Sequence, residues 1–302
     1  MRSLAFDIET VPDLGGIDYR DYIYLRSRGK RERSEEEFAR EFSFNPFTLF
    51  VVSVSGTYVG EGIEESFVLY ISDMSSEERE EEVFYSEGRS VRVRFIPIRA
   101  DFVEGKLYEL EEVLLRRFWE EVRRADLLVS FNGYSFDGYI LKIRSMIHGI
   151  EIPGRFLTDR KFHVDILRFL SNGEKEKSYK LDFVCKKFRI HASKDIIDGS
   201  KVAQEFYRGN YELIASYNFK DSIALAQLFE RLKGYIPEVA VEEEEATERQ
   251  LSYLIDLIVR TTGVERRIVE EVVAGLMGSE GISKRNAHML IEVFRRIEDS
   301  SP

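Results

Sequence analysis

The segment that most constrains the chain is its first strand candidate, Ser3-Leu4-Ala5-Phe6-Asp7-Ile8-Glu9-Thr10. Strand alternation puts Leu4, Phe6 and Ile8 on one face and Ala5, Asp7 and Glu9 on the other. A strand this apolar is expected to be buried, yet it carries two neighbouring carboxylates at its carboxyl end. Side by side they repel each other, and a divalent cation is the natural remedy. The plain alternative is two solvated acids at a strand end, and an isolated Asp-x-Glu is common enough that the pair has to be weighed with the rest of the chain.

Further strand candidates fall at residues 49–57, 66–71, 91–98, 127–131 and 162–166, and helical spacing at 107–124, 136–148, 181–188, 200–207 and 211–232. Strands joined by short connections, followed by strands alternating with helices, predict an α/β fold in which helices flank a mixed sheet. Three breaks interrupt the pattern. Between Pro12 and Pro46, Arg28, Lys30, Arg31 and Arg33 precede Glu35 to Glu37 with a turn at Gly29, which reads as a charged helical surface excursion, a candidate lid. Residues 72–90, rich in Ser and Glu and without apolar period, read as a loop with one helical turn at most. Four consecutive Glu, 242–245, mark a domain boundary and divide the chain into a main domain, 1–240, and a helical accessory domain, 246–302. In the tail, amphipathic spacing predicts helices over 248–261, 265–276 and 283–297, the last with Ser283 as N-cap. Its nearly balanced charges do not demand nucleic-acid binding and leave docking of a protein partner, or oligomerisation, open.

Composition narrows the chemistry. A single cysteine, Cys185, cannot form an internal disulfide or a zinc-cysteine cluster, so metal ligands are sought among carboxylates and Cys185 is read as core filler. No apolar run approaches the ~20 residues that span a bilayer, and no signal sequence opens the chain, so no membrane role and a cytoplasmic location are expected. A net charge of −11 speaks against wrapping contact with nucleic acid through lysine and arginine alone, though not against an enzyme that holds a strand end through bound cations.

Two further segments join the first. Leu128-Val129-Ser130-Phe131-Asn132-Gly133-Tyr134-Ser135-Phe136-Asp137 is a strand running into a turn and a helix, with Ser135 the expected N-cap and Asp137 in the first helical turn. Asp there also suits the helix dipole without any function, and Asn132 and Gly133 suit a turn. In the helix over 211–232, Tyr217 and Asp221 are spaced i, i+4 and share a face with Ala224, Leu225 and Leu228, so a phenol and a carboxylate point inward together. A carboxylate on an apolar stripe needs a partner or a metal.

The ordered set Asp7-Ile8-Glu9-Thr10, Asn132-x-x-x-Phe136-Asp137 and Tyr217-x-x-x-Asp221 resembles the DEDDy-type 3′-5′ exonucleases of the DnaQ-like, ribonuclease H-like superfamily. The second motif is similar to that of the exonuclease domain of family B DNA polymerases, as are His163-Val164-Asp165-Ile166 and Tyr179-Lys180-Leu181-Asp182-Phe183-Val184. The likeness covers roughly residues 1–235 and is strongest to stand-alone predicted exonucleases related to that domain. It implies a ribonuclease H-like mixed sheet and hydrolysis of phosphodiester bonds at the 3′ ends of single-stranded DNA or RNA. Two Mg²⁺ or Mn²⁺ ions would be held by Asp7, Glu9, Asp137 and Asp221, with Asp7 bridging, Glu9 and Asp221 holding the ion that carries the attacking water, and Asp137 serving the other. Tyr217 would orient that water rather than deprotonate it. Substrate contacts are expected from Asn132, from Phe136 chiefly through packing that fixes Asp137, and from Lys180, which with Lys186, Lys187 and Arg189 forms a positive patch that reads equally as a track for phosphates or as a solvated helix face balanced by nearby Asp and Glu. His163 and Asp165 are explained by strand alternation rather than as ligands. A structure-specific endonuclease on the same fold and a non-catalytic nucleic-acid-binding accessory module are the rival readings, and DNA repair, replication and RNA turnover are all open as pathways.

Overall fold

In the computed structural model the described residues are 1–13, 42–86, 88–154, 156, 162–173, 179–190, 199–236, 247–277 and 284–299. The excursion expected between Pro12 and Pro46 lies largely outside them, as do the acidic run at 242–245 and the N-cap expected at Ser283. Strand β1 (Ser3–Pro12) is an interior strand of a seven-stranded sheet. It pairs antiparallel with β2 (Leu49–Val59), which pairs antiparallel with β3 (Ile63–Ser72), and on its other side runs parallel to β6 (Leu127–Ser130), itself parallel to β7 (His163–Asp165). The order β3-β2-β1-β6-β7, with β2 alone reversed, is the expected ribonuclease H-like mixed sheet. Beyond β3 lie β5 (Arg89–Arg99), parallel to it, and β4 (Arg79–Ser86) at the edge.

Strand β4 corrects the expectation of a loop over residues 72–90. An edge strand needs no apolar face of its own, since charges on an open edge also discourage pairing with another chain. Val83 and Tyr85 still point inward, alternating with exposed Glu82 and Phe84, and Arg92 pairs with Glu80 across the ladder.

Helices cover the sheet. Helix α1 (Leu107–Val122) buries Leu110, Leu114, Leu115, Phe118 and Trp119, the stripe its spacing predicts. Helix α2 (Asp137–Ile147) follows β6, and the short α3 (Ile166–Leu170) follows β7. Helices α4 (Leu181–Lys187) and α5 (Val202–Tyr207) lead to α6 (Tyr211–Leu232), which lies against β1, β2 and β3. Cys185 is fully buried, as core filler should be. Residues 1–233 form one compact unit and 234–302 a second. In the second, α7 (Glu248–Thr262), opened by a Thr247–Gln250 capping box and closed at left-handed Gly263, precedes α8 (Arg266–Met277) and α9 (Lys284–Asp299). Leu254, Leu257, Val269, Val273, Ala287 and Ile291 build its core. Among the described residues no helix is long and apolar enough to cross a membrane.

Candidate active site

Three elements, β1, α2 and α6, deliver one cluster of four carboxylates. In β1 the apolar residues Leu4, Phe6 and Ile8 are buried while Asp7 and Glu9 on the opposite face are only partly covered, as alternation requires. The β1–β2 register shifts just after Glu9, a bulge at the site end of the strand. Asp221 reaches the same place from α6, and carboxylate oxygens of Asp7, Glu9 and Asp221 all lie within 4.8 Å of one another. Asp137, the first residue of α2 and 4% exposed, stands close enough to oppose ionisation of Asp7 and Glu9. Tyr217 is buried one turn before Asp221 and donates its hydroxyl to that carboxylate.

The electrostatics follow from crowding acids in a dry place. Burial first, then the neighbouring acids, holds Asp7 and Glu9 well above the ordinary carboxylate range. Burial raises Asp137 to about 7, although backbone hydrogen bonds, one of them at Ile8, pull the other way. The Tyr217 phenol is pushed up by burial and the same acids, so it stays protonated at neutral pH.

Sequence reading missed Asn218, which holds Asp7 in place. The Asn218 side chain is fully buried, donates from Nδ2 to Asp7 Oδ2 at 2.7 Å, and accepts at Oδ1 from Ser53 Oγ at 2.9 Å. Ser55 donates to the Asn218 carbonyl at 2.8 Å, and Thr57 lies 3.3 Å from the Ser222 hydroxyl. The signal was present in β2: Ser53, Ser55 and Thr57 alternate within an apolar run, opposite Glu9, Asp7 and Ala5 in the register. A row of buried hydroxyls on the acid-bearing face needs partners, and α6 provides them.

The turn before Asp137 differs from expectation. Ser135 is not the N-cap; Phe136 occupies that position without a side-chain cap. Asn132, left-handed at φ 72°, instead accepts at its carbonyl from the N–H groups of Ser135 and Phe136. Asp165 takes the N–H groups of Asn132 and Tyr134 at 2.9 and 3.1 Å and caps α3 through Arg168. His163 is bound to Ser130 Oγ at 2.7 Å and burial lowers it to about 3, so it is a neutral packing residue. Gly138 is required because a Cβ there would stand 2.8 Å from His163 Cε1. His163 and Asp165 thus shape the turn that aims Asp137.

Asn132 is exposed at the rim, and Phe136 is partly buried against the core. Lys180 is exposed immediately before α4. In the same patch Lys186 pairs with Asp182 at 3.1 Å and Lys187 lies over the Phe183 ring.

A family model described as "Predicted 3'-5' exonuclease related to the exonuclease domain of PolB" matches residues 87–265. The chain belongs to this family. The matched residues include Asp137, Tyr217 and Asp221, whereas Asp7 and Glu9 precede them and join the cluster through the fold. The solved family B DNA polymerase of the hyperthermophilic archaeon Pyrobaculum calidifontis matches 89% of this chain at 18% identity with a TM-score of 0.44, and the chain spans 27% of that polymerase. No curated protein sequence matches the chain. Exonucleases of this kind act on nucleic acid and normally use divalent metals. The donor set here fits such ions: carboxylate oxygens suit Mg²⁺ or Mn²⁺, and neither the lone cysteine nor His163 belongs to the cluster of Asp7, Glu9 and Asp221.

Proposed function

We propose that the protein is a DEDDy-type 3′-5′ exonuclease that hydrolyses terminal phosphodiester bonds of single-stranded DNA or RNA by a two-metal-ion mechanism. The observation that carries this reading is the convergence of the Asp7, Glu9 and Asp221 oxygens, with Asp137 beside them, in surroundings that penalise their charge. Four mutually repelling acids, once ionised, destabilise a fold unless cations neutralise them. Asp7, Glu9, Asp137 and Asp221 would hold two Mg²⁺ or Mn²⁺ ions, which would supply an activated water and neutralise charge developing on the phosphate oxygens.

The chain's own groups do the positioning. Asn218 fixes one Asp7 oxygen and leaves the other for ligation. Tyr217, protonated and aimed by its hydrogen bond to Asp221, orients the water and is no base. Asn132 would meet the strand end from the rim, Lys180 would meet phosphates further along the strand, and the helices of 247–299 would dock a protein partner. The test is digestion of matched 5′-labelled single-stranded DNA and RNA with Mg²⁺ or Mn²⁺, resolved as a ladder beside Asp7→Ala. A ladder growing from the 3′ end and absent in the variant is expected. A single internal cut, no cleavage, or an active Asp7→Ala protein would overturn the reading.

A further inference from the structure

A chain with net charge −11 and an acidic site gains little from direct Coulomb attraction to a polyanionic strand, so affinity needs another source. One stands beside the carboxylates. Phe44 is 55% exposed although its segment is tied down on both sides. The Thr10 hydroxyl, adjacent in sequence to Glu9, donates to the Ser43 carbonyl at 2.7 Å, and Arg144 Nη1 donates to the Pro46 carbonyl at 3.1 Å. Arg144 is itself fixed by a buried ion pair to Glu111, which also accepts from the Val51 N–H beside the β1–β2 bulge. The Phe44 ring centroid lies 5.6 Å from that of Phe136, the neighbour of Asp137. Phe44 is therefore held between the residue after Glu9 and the residue before Asp137, with much of its ring in solvent. An exposed ring on rigid support is what base stacking uses, whatever the base.

We propose that Phe44, seated on Phe136, is a stacking platform for an unpaired base at the 3′ end of a single-stranded nucleic acid. The inference rests on the exonuclease reading and extends it: the platform gives the enzyme a preference for single-stranded over paired ends. Stacking one base on an aromatic side chain is worth about 5- to 150-fold in affinity.

The test compares the full chain with Phe44→Ala, Phe44→Leu and Phe44→Trp on 5′-labelled single-stranded DNA, intact or lacking its last three bases. Phe44→Ala is expected to raise KM roughly tenfold or more with a smaller change in kcat, Trp to restore it, and Leu, which keeps the bulk but not the ring, to fail. Abasic ends should cost the wild-type chain a similar factor and Phe44→Ala nothing further. Mn²⁺ binding by calorimetry should be the same for wild type and Phe44→Ala, and Phe84→Ala on the far edge strand should leave KM unchanged. A Phe44→Leu enzyme with wild-type KM, or a Phe44→Ala enzyme that still loses the full factor on abasic ends, overturns the platform. Failure of the wild-type chain to cleave overturns the exonuclease reading instead; anisotropy of the same labelled strands with Ca²⁺ then decides the platform, and equal affinity for wild type and Phe44→Ala refutes it.

Discussion

If the acids hold the proposed cations, lowering the pH from 7.5 to 5 should release them long before it unfolds the protein. Asp137 titrates at about 7, so at pH 5 it holds its proton by two pH units, and a cation must displace that proton at a cost of about 3 kcal/mol. Asp7 and Glu9, also held well above the ordinary carboxylate range, add to this in the same direction. Apparent metal affinity should therefore fall by about a hundredfold or more across that interval. The sign in the metal-free protein is fixed by the same shifts: an acid with a raised folded-state value favours the protonated fold, so stability is lost as pH rises from about 4 toward 7 and beyond. His163, lowered to about 3, works oppositely below about 6.5, because its stabilisation is lost as pH falls. It cancels when melting with and without Mn²⁺ is compared at one pH. With Mn²⁺ at a hundred times its Kd at pH 7.5, the gain is about 2.7 kcal/mol, or roughly 5–11 °C for a unit of this size. The same Mn²⁺ at pH 5 should raise Tm by about 1 °C. Calorimetric melting of the unit spanning 1–233 in EDTA and in Mn²⁺ at the two pH values measures the difference. Equal Mn²⁺ shifts at both pH values, or none at either, would refute the account of the acids given above.

Other outcomes follow from the same geometry. Asp7→Ala should abolish cleavage and Mn²⁺ binding while circular dichroism shows a retained fold, and Tyr217→Phe should slow digestion about 10- to 100-fold with Mn²⁺ binding intact by calorimetry. Asn218→Leu leaves Ser53 and one Asp7 oxygen without their partner, so Mn²⁺ affinity should drop about tenfold and stability by about 1–3 kcal/mol in urea unfolding. Arg144→Met removes the guanidinium from fully buried Glu111 and should cost about 3 kcal/mol or more, read as a lower urea midpoint.

Much of this protein is written in local pattern. Period-two alternation around Asp7 and Glu9, and the i, i+4 spacing of Tyr217 and Asp221, are read directly from the chain because strand and helix geometry act over a few residues. The helix Tyr211–Leu232 and the α/β class followed from the same periodicities. Where local signals were weak or misleading, tertiary structure decided. Strand β4 has little apolar period because an edge strand is held by its neighbour's ladder and not by a buried face of its own. Ser135 looked like a cap, but Asp165, remote in sequence, satisfies the backbone of that turn instead. Asn218 was indistinguishable from any polar residue of a helix until Ser53 and Asp7 were brought to it across the sheet. Phe44 gained its position only when Thr10 and Phe136 closed on it from distant parts of the chain. The sequence by itself determined which residue types face inward, since that depends on spacing along one element. Which of them meet, and how far burial lifts their pKa values, depends on long-range packing that no single element encodes.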